Sequence, residues 1–407
     1  MQSYLSPLVL VKDDFTMSAT ATAHGMDGTL VEPDWPALEL AEVRSLLSEF
    51  SGLGEPIEIL SVSPRPLSAA SVVATRGGRI FIKRHHCTVR DAEGLLEEHR
   101  FMAYLQAHGA PAPRVFATVS GETAIERGEW TYEVHEAPVG VDRYGDALSW
   151  TPFLTAAHAR SAGQALARLH RASEGFGAPR RKARPLVASF TIFATQNPRT
   201  AMNRYLTARP VLMNHLAVRD CCDEALRLLA PFHAELQPLL PALPPLWTHN
   251  DLHASNLLWS DAGPTAQATA IFDFGLADQT NAVHDLAQAI ERNIVEWITL
   301  MNDPAHPGDV RVHLDHLFAL LAGYESVRPL SGEEAAALAP MTALCHAEFA
   351  LSEADYFLSV LHREEKAPMA YDAWLVGHAR WFHSAGGGEL LAALRRWAET
   401  RKRVGER

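Results

Sequence analysis

The period of the hydrophobic pattern changes along the chain, and the change divides it. Residues 1–34 mix Thr, Ala, Gly and Asp without a sustained period, which predicts a loosely ordered leader. Between Trp35 and Phe50 the spacing of Leu38, Ala41, Val43, Leu46 and Leu47 predicts an amphipathic helix. Strand-like runs follow at 57–62, 71–75, 79–83, 124–126 and 130–134, the second and third flanking Gly77-Gly78, a two-residue hairpin signal. A helix is predicted at about 89–108, with Thr88 and Asp91 as a capping box and Gly109 as its stop. From Thr151-Pro152, read as N-cap and N1, the pattern is helical to His170 and again near 200–217 and 219–238. Residues 178–200 are basic and Pro-containing and read as a loop or insertion. The remainder is Ala- and Leu-rich with helical spacing, Ser331 and Glu334 making a capping box. The fold class is therefore α+β, a small β-rich part followed by a large helical one.

The chemistry concentrates in two short loops beside apolar runs. His249-Asn250-Asp251-Leu252-His253-Ala254-Ser255-Asn256 follows Leu246-Trp247-Thr248, and Asp273-Phe274-Gly275 follows Ala270-Ile271-Phe272. Asp251, Asn256 and Asp273 are the residue types that phosphoryl transfer uses: a carboxylate for the attacking hydroxyl, and an amide with a second carboxylate for Mg²⁺. A 2-His-1-carboxylate iron site beginning at His249-x-Asp251 is the rival, but it demands a β-barrel and leaves Asn256 and Asp273 without a role. Plain turn-capping by loop carboxylates is the bland alternative.

The spacing H-x-D-x-x-x-x-N, with D-F-G beginning 17 residues after the Asn, resembles the catalytic and metal loops of the protein-kinase-like fold. The second histidine makes the run similar to the H-G-D-L-H-x-x-N of the aminoglycoside phosphotransferase and choline kinase family, with Asn250 where that family usually has Gly. The resemblance implies a two-lobed kinase-like fold: a leader at 1–34, a nucleotide-binding lobe at 35–137 and a helical catalytic and substrate lobe at 138–407. It implies ATP and Mg²⁺ as cofactors and a small-molecule hydroxyl as acceptor. Asp251 is then the base, beside His249 in the catalytic loop, and Asn256 and Asp273 hold the metal. His253 shapes the loop, and Asp285 of Asp285-Leu286-Ala287 braces it.

On the nucleotide side the resemblance places Lys83 on the phosphates and Glu98, rather than Glu97, as the partner holding it. The covering loop falls at Pro64–Ser71, where small residues from Ser68 to Ser71 replace the expected glycines, and the hinge falls at His135-Glu136-Ala137. Ala165-Leu166-Ala167-Arg168-Leu169-His170 is similar to a helix end of the family, with His170 structural. A protein kinase is disfavoured by the lack of an A-P-E-like segment after Gly275, and a catalytically inactive nucleotide-binding module by the competent residues at all four kinase-like positions.

Two acceptor classes remain. The polar stripe of Glu348, Ser352, Asp355 and Ser359, ordinarily the solvated face of a helix, permits an aminoglycoside-like polycation. Gly323-Tyr324-Glu325-Ser326-Val327-Arg328-Pro329-Leu330 resembles a segment of homoserine-kinase-like relatives, with Arg328 as a carboxylate fork. The broad aminoglycoside-type label describes the whole catalytic pattern and is preferred, homoserine or another amino alcohol being the alternative. The net charge of −12 disfavours a nucleic-acid partner. Four Cys without zinc-type pairing, no secretory pattern and no apolar run of bilayer length predict a cytoplasmic protein with neither disulfides nor membrane insertion.

Overall fold

The computed structural model describes residues 23–24, 29–302 and 310–405. Most of the 1–34 leader lies outside the described residues. Within it, Ala23–His24 pairs with Leu30–Val31, and the Asp34 carboxylate is held by Tyr356 Oη at 3.0 Å and Lys366 Nζ at 3.2 Å.

Helix α1 (Leu40–Leu47) buries Val43, Leu46 and Leu47 against a five-stranded antiparallel sheet. The strands are β1 (Pro56–Val62), β2 (Ala69–Thr75), β3 (Gly78–His86), β4 (Ile125–Arg127) and β5 (Trp130–Glu136), in the order β1-β2-β3-β5-β4. Alternation of Ile80 and Ile82 with Phe81 and Lys83 puts the isoleucines in the core and leaves Lys83 on the opposite face, where it pairs in register with Glu133 of β5. Helix α2 (Ala92–Ala107) packs behind the sheet, and its N-cap is Asp91, whose carboxylate accepts from Gly94 N–H, rather than the Thr88 box expected.

After Glu136 the chain enters the helical lobe. Helix α3 (Ala156–Ser173) starts at Thr155, not Thr151, because Thr155 Oγ1 accepts from His158 N–H. It crosses the Leu314–Glu325 helix where Gly163 and Gly323 each lie against the other helix's backbone, so that a Cβ on either would collide with a carbonyl oxygen. Short strands Leu246–Thr248 and Asp278–Thr280 pair with each other, as do Leu257–Trp259 and Ala268–Ile271. These two ribbons carry the loops at 249–256 and 272–277 to the interlobe cleft. Beneath them the Ala282–Ile294 helix is buried along its whole length.

The stripe of Glu348, Ser352 and Asp355 departs from the expectation of a solvated helix face, since all three are buried. They face the 186–192 segment: Ser352 Oγ accepts from Val187 N–H at 2.8 Å, and Glu348 accepts from Ile192 N–H at 2.7 Å. Local periodicity cannot reveal a helix covered on its polar side by a distant loop.

Candidate active site

Asp251, Asn256, Asp273 and Lys83 come together on one cleft between the lobes, which Arg65 and Ser68 also line. The 249–256 loop is set by buried polar contacts. Asp285 Oδ2 accepts from His249 N–H and Oδ1 from Asn250 N–H, both at 2.8 Å, and His170 Nε2 donates to Oδ2 at 2.9 Å. Ionised Asp285 thus satisfies two backbone donors of a sharply turned loop. Tyr324 Oη lies 2.7 Å from His170 Nδ1 and continues the chain of hydrogen bonds into the lobe. Asn250 sits at φ +59°, a left-handed conformation that glycine adopts without strain and asparagine tolerates. Its amide is buried, with Oδ1 2.9 Å from Thr248 Oγ1 and 3.1 Å from Thr280 Oγ1, so here the side chain knits the two loops together.

His249 is fully buried, Nε2 donating to Phe272 O at 3.0 Å and Nδ1 accepting from Asp251 N–H at 3.2 Å. Burial holds its pKa below the usual imidazole range, and with both ring nitrogens engaged it shapes the loop and has no atom for the reaction. Burial, aided by the nearby Arg65 guanidinium, pushes His253 down to about 3, so it too is neutral.

Asp251 is gripped from both sides. Asn256 Nδ2 donates to Asp251 Oδ2 at 3.1 Å and to its carbonyl at 3.0 Å, while the Arg292 guanidinium lies against Oδ1. Arg292 is itself packed against Phe349 and Trp150, 4.9 and 5.3 Å from their ring centroids. The amide nitrogen of Asn256 being engaged, its oxygen is the atom suited to a hard cation. Asp273, with 38% of its side chain exposed, supplies a second oxygen donor. Desolvation by the cleft walls opposes ionisation of Asp273, but the Lys83 ammonium at 2.8 Å from Oδ1 overrides it and holds the carboxyl well below the usual range. Asn256 and Asp273 therefore form an oxygen-donor pair fit for Mg²⁺, with Asp251 beside them.

The expected Lys83–Glu98 pair is absent here. Glu98 Oε1 is occupied by Arg90 Nε at 2.9 Å and Arg181 Nη2 at 2.7 Å. Arg181 comes from the basic 178–200 segment, whose Lys182 and Arg184 pair with Glu93 and Asp91 at the start of α2. That segment ties α2 to the helical lobe and, through Arg181 Nη1 to Gly275 O at 3.0 Å, to the loop bearing Asp273.

Of the other expected site residues, Ser68 lines the cleft while Ser71 is buried in β2. At the expected hinge, the Glu136 N–H donates to Arg114 O at 2.8 Å. Arg328 does not line the cleft and pairs with Glu334 at 2.7 Å. Glu348 is saturated by the 189–192 segment, and Asp355 is held by Ser359 and faces Arg209 at 3.6 Å. All three substrate candidates thus have structural partners.

Sequence reasoning missed Arg65, Arg292 and Trp150. Arg65 rises from the covering loop and donates to Ser255 Oγ at 2.9 Å and Ala147 O at 3.0 Å. Ser255 Oγ also lies 2.8 Å from His253 Nδ1, linking the covering loop to the catalytic loop. An arginine amid small residues was the available signal for Arg65, whereas Arg292 and Trp150 carried none.

A β-rich lobe hinged to a helical lobe, with both metal-type loops and a strand lysine at the junction, defines the protein-kinase-like architecture of small-molecule kinases. The chain belongs to the phosphotransferase enzyme family, which it matches over residues 67–330. It is similar to a homoserine kinase of Phenylobacterium zucineum, 28% identical over 348 residues, covering 83% of this chain and 92% of that one. Among solved structures it resembles a microcompartment-associated aminopropanol kinase, with TM-score 0.54, 18% identity, and coverage of 86% of this chain and 99% of that one. An amicoumacin kinase in complex with AMP-PNP and Ca²⁺ aligns with TM-score 0.50 and 13% identity, over 89% and 93% of the two chains. Among the described residues, no helix is long and apolar enough to cross a membrane.

Proposed function

We propose that the protein is an ATP- and Mg²⁺-dependent O-phosphotransferase acting on the hydroxyl of a small, carboxylate-bearing amino alcohol of the homoserine class. The carrying observation is the convergence of Asp251, Asn256, Asp273 and Lys83 on one interlobe cleft. Bound nucleotide and Mg²⁺ would supply the phosphoryl group and neutralise its charge. Asn256 and Asp273 would hold the metal and Lys83 the phosphates, the lysine exchanging its bond to Asp273 for the nucleotide. Asp251 would orient the acceptor hydroxyl and take its proton while the new O–P bond forms and the bond to the departing ADP breaks. Arg292 and Asn256 fix the carboxylate rotamer, so little reorientation precedes attack.

The charge of the cleft favours an acceptor with a carboxylate over a polycation. Asp251 and Asp273 are the carboxylates that line it, and both have roles in transfer, whereas the Arg65 guanidinium lines the same space beside the catalytic loop. A polycation needs acidic partners for its ammonium groups, and the ones expected in the helical lobe, Glu348 and Asp355, are already engaged. The likeness to a homoserine kinase over most of both chains supports the same class.

Coupled measurement of ADP release with ATP and Mg²⁺, over homoserine, uncharged amino alcohols and an aminoglycoside, tests this reading. Release dependent on the carboxylate-bearing acceptor, with the aminoglycoside inert, is expected. Turnover of the aminoglycoside with none of the amino acid would overturn the acceptor assignment.

A further inference from the structure

Beside Lys83, on the same face of the nucleotide-lobe sheet, three histidines turn their Nε2 atoms onto one carboxylate. Glu133 Oε1 lies 3.0 Å from His85 Nε2, and Glu133 Oε2 lies 2.9 Å from His99 Nε2 and 2.8 Å from His135 Nε2. His85, His99, Glu133 and His135 are 5%, 4%, 2% and 8% exposed. The ligand atoms of His99, Glu133 and His135 all fall within 4.8 Å of one another. None of the four residues has a part in the transfer described above.

We propose that this cluster is a binding site for a borderline transition-metal cation of the zinc class, with His99, Glu133 and His135 as ligands and His85 holding the second carboxylate oxygen of Glu133 in place. Two neutral imidazoles with one carboxylate form a donor set that suits zinc, whereas Mg²⁺ prefers oxygen alone. Metal bonds of about 2.0–2.2 Å place neighbouring ligand atoms of a tetrahedron roughly 3.3–3.5 Å apart. The separations of Glu133 Oε2 from His99 Nε2 and His135 Nε2, 2.9 and 2.8 Å, need widen by only a few tenths of an ångström. The outer contact of His99 fits as well: Nδ1 lies 2.9 Å from Thr123 Oγ1, which as acceptor of an Nδ1–H would leave Nε2 unprotonated for metal. Access exists, because His85 also lines the interlobe cleft.

Position gives the site its consequence. His85 follows Lys83 by two residues on β3, His99 directly follows Glu98 on α2, and His135 directly precedes the hinge residue Glu136 on β5. One cation would join α2 to β5 directly and to β3 through the Glu133–His85 contact, where other kinase-like folds use a lysine–glutamate pair across the same space. Here Glu98 is taken by two arginines, and the metal would supply a tie between β3 and α2 that this pairing leaves out.

The test uses the full-length protein stripped of metal and kept in millimolar Mg²⁺ without nucleotide, which occupies hard oxygen sites. Titration with Co²⁺ is followed by visible absorption, and bound Zn²⁺ after dialysis by elemental mass spectrometry. One equivalent per chain is expected, with cobalt bands of a low-coordinate nitrogen–oxygen site. His99→Gln and His135→Gln should each weaken binding at least tenfold. His316→Ala, which breaks a more exposed second grouping of His313, Asp315 and His316, should leave it intact. Absence of stoichiometric metal and of cobalt bands in the wild type would overturn the proposal and leave a histidine–carboxylate hydrogen-bond network. Full binding in both glutamine variants, or loss in His316→Ala, would also overturn it by placing the metal elsewhere. Should a glutamine variant fail to fold, the wild-type titration and His316→Ala still decide.

Discussion

The Arg292 guanidinium lies against Oδ1 of Asp251 while its faces are covered by Trp150 and Phe349. A buried arginine held by two aromatic rings has few rotamers, so it fixes the direction in which the carboxylate points. Replacing Arg292 with Gln keeps a polar side chain but removes the charge and the planar fork. We expect turnover to fall ten- to a hundredfold, with nucleotide affinity nearly unchanged, from steady-state kinetics and ATP titration. Unaltered turnover would show that Asp251 is oriented without it.

Lys83 and Asp273 should separate in binding experiments despite their shared ion pair. Lys83→Ala should weaken ATP binding with or without Mg²⁺, since the ammonium meets phosphate directly. Asp273→Ala should abolish transfer and flatten the Mg²⁺ dependence of ATP thermal shifts. A wild-type Mg²⁺ dependence in the Asp273 variant would remove it from the metal set.

Asn250 invites the opposite of a backbone argument. Glycine suits φ +59°, yet Asn250→Gly would strip partners from Thr248 and Thr280 in a sealed space. We expect a loss of about 1–3 kcal/mol in denaturant unfolding, and more for Asn250→Ala, which adds strain. A glycine variant as stable as wild type would show the amide network to be neutral.

Glu353 is fully buried with both carboxylate oxygens lacking a hydrogen-bond partner, and burial pushes its pKa up to about 8 despite the nearby Arg292. Unfolded, the group titrates near 4.5. The folded protein therefore keeps a proton that the unfolded chain has lost, so this contribution is whole below about pH 4.5 and disappears as pH rises through 8. Glu353→Gln should unfold like wild type near pH 4.5 and be more stable at pH 9, on the order of 5 kcal/mol. Coincident stability profiles across that range would contradict a protonated Glu353.

The parts that were legible in the sequence are those fixed by short-range geometry. The H-x-D-x-x-x-x-N and D-F-G loops announced the cleft because their ligands sit at set offsets from two short strands. The Gly77-Gly78 hairpin placed Lys83 on β3 for the same reason. The partner of Glu98 was not legible, since Arg181 lies 83 positions away and reaches it only after the lobes pack. Glu348 read as a solvated helix position because its cover, Ser189 to Ile192, is a loop without periodicity. Arg328 stood in a run that suggested a substrate fork, yet Gly323 serves a helix crossing, Tyr324 reaches His170, and Arg328 is held by Glu334. A motif there was real, but its work is packing.

Asp251→Asn tests the central claim most directly. The change keeps the side-chain shape and removes the basic oxygen. With ATP, Mg²⁺ and the acceptor that supports wild-type turnover, ADP release should fall by roughly 10²–10⁴ while ATP binds as before. Near-normal ADP release by the variant would contradict Asp251 as the proton acceptor and, with it, the proposed transfer site.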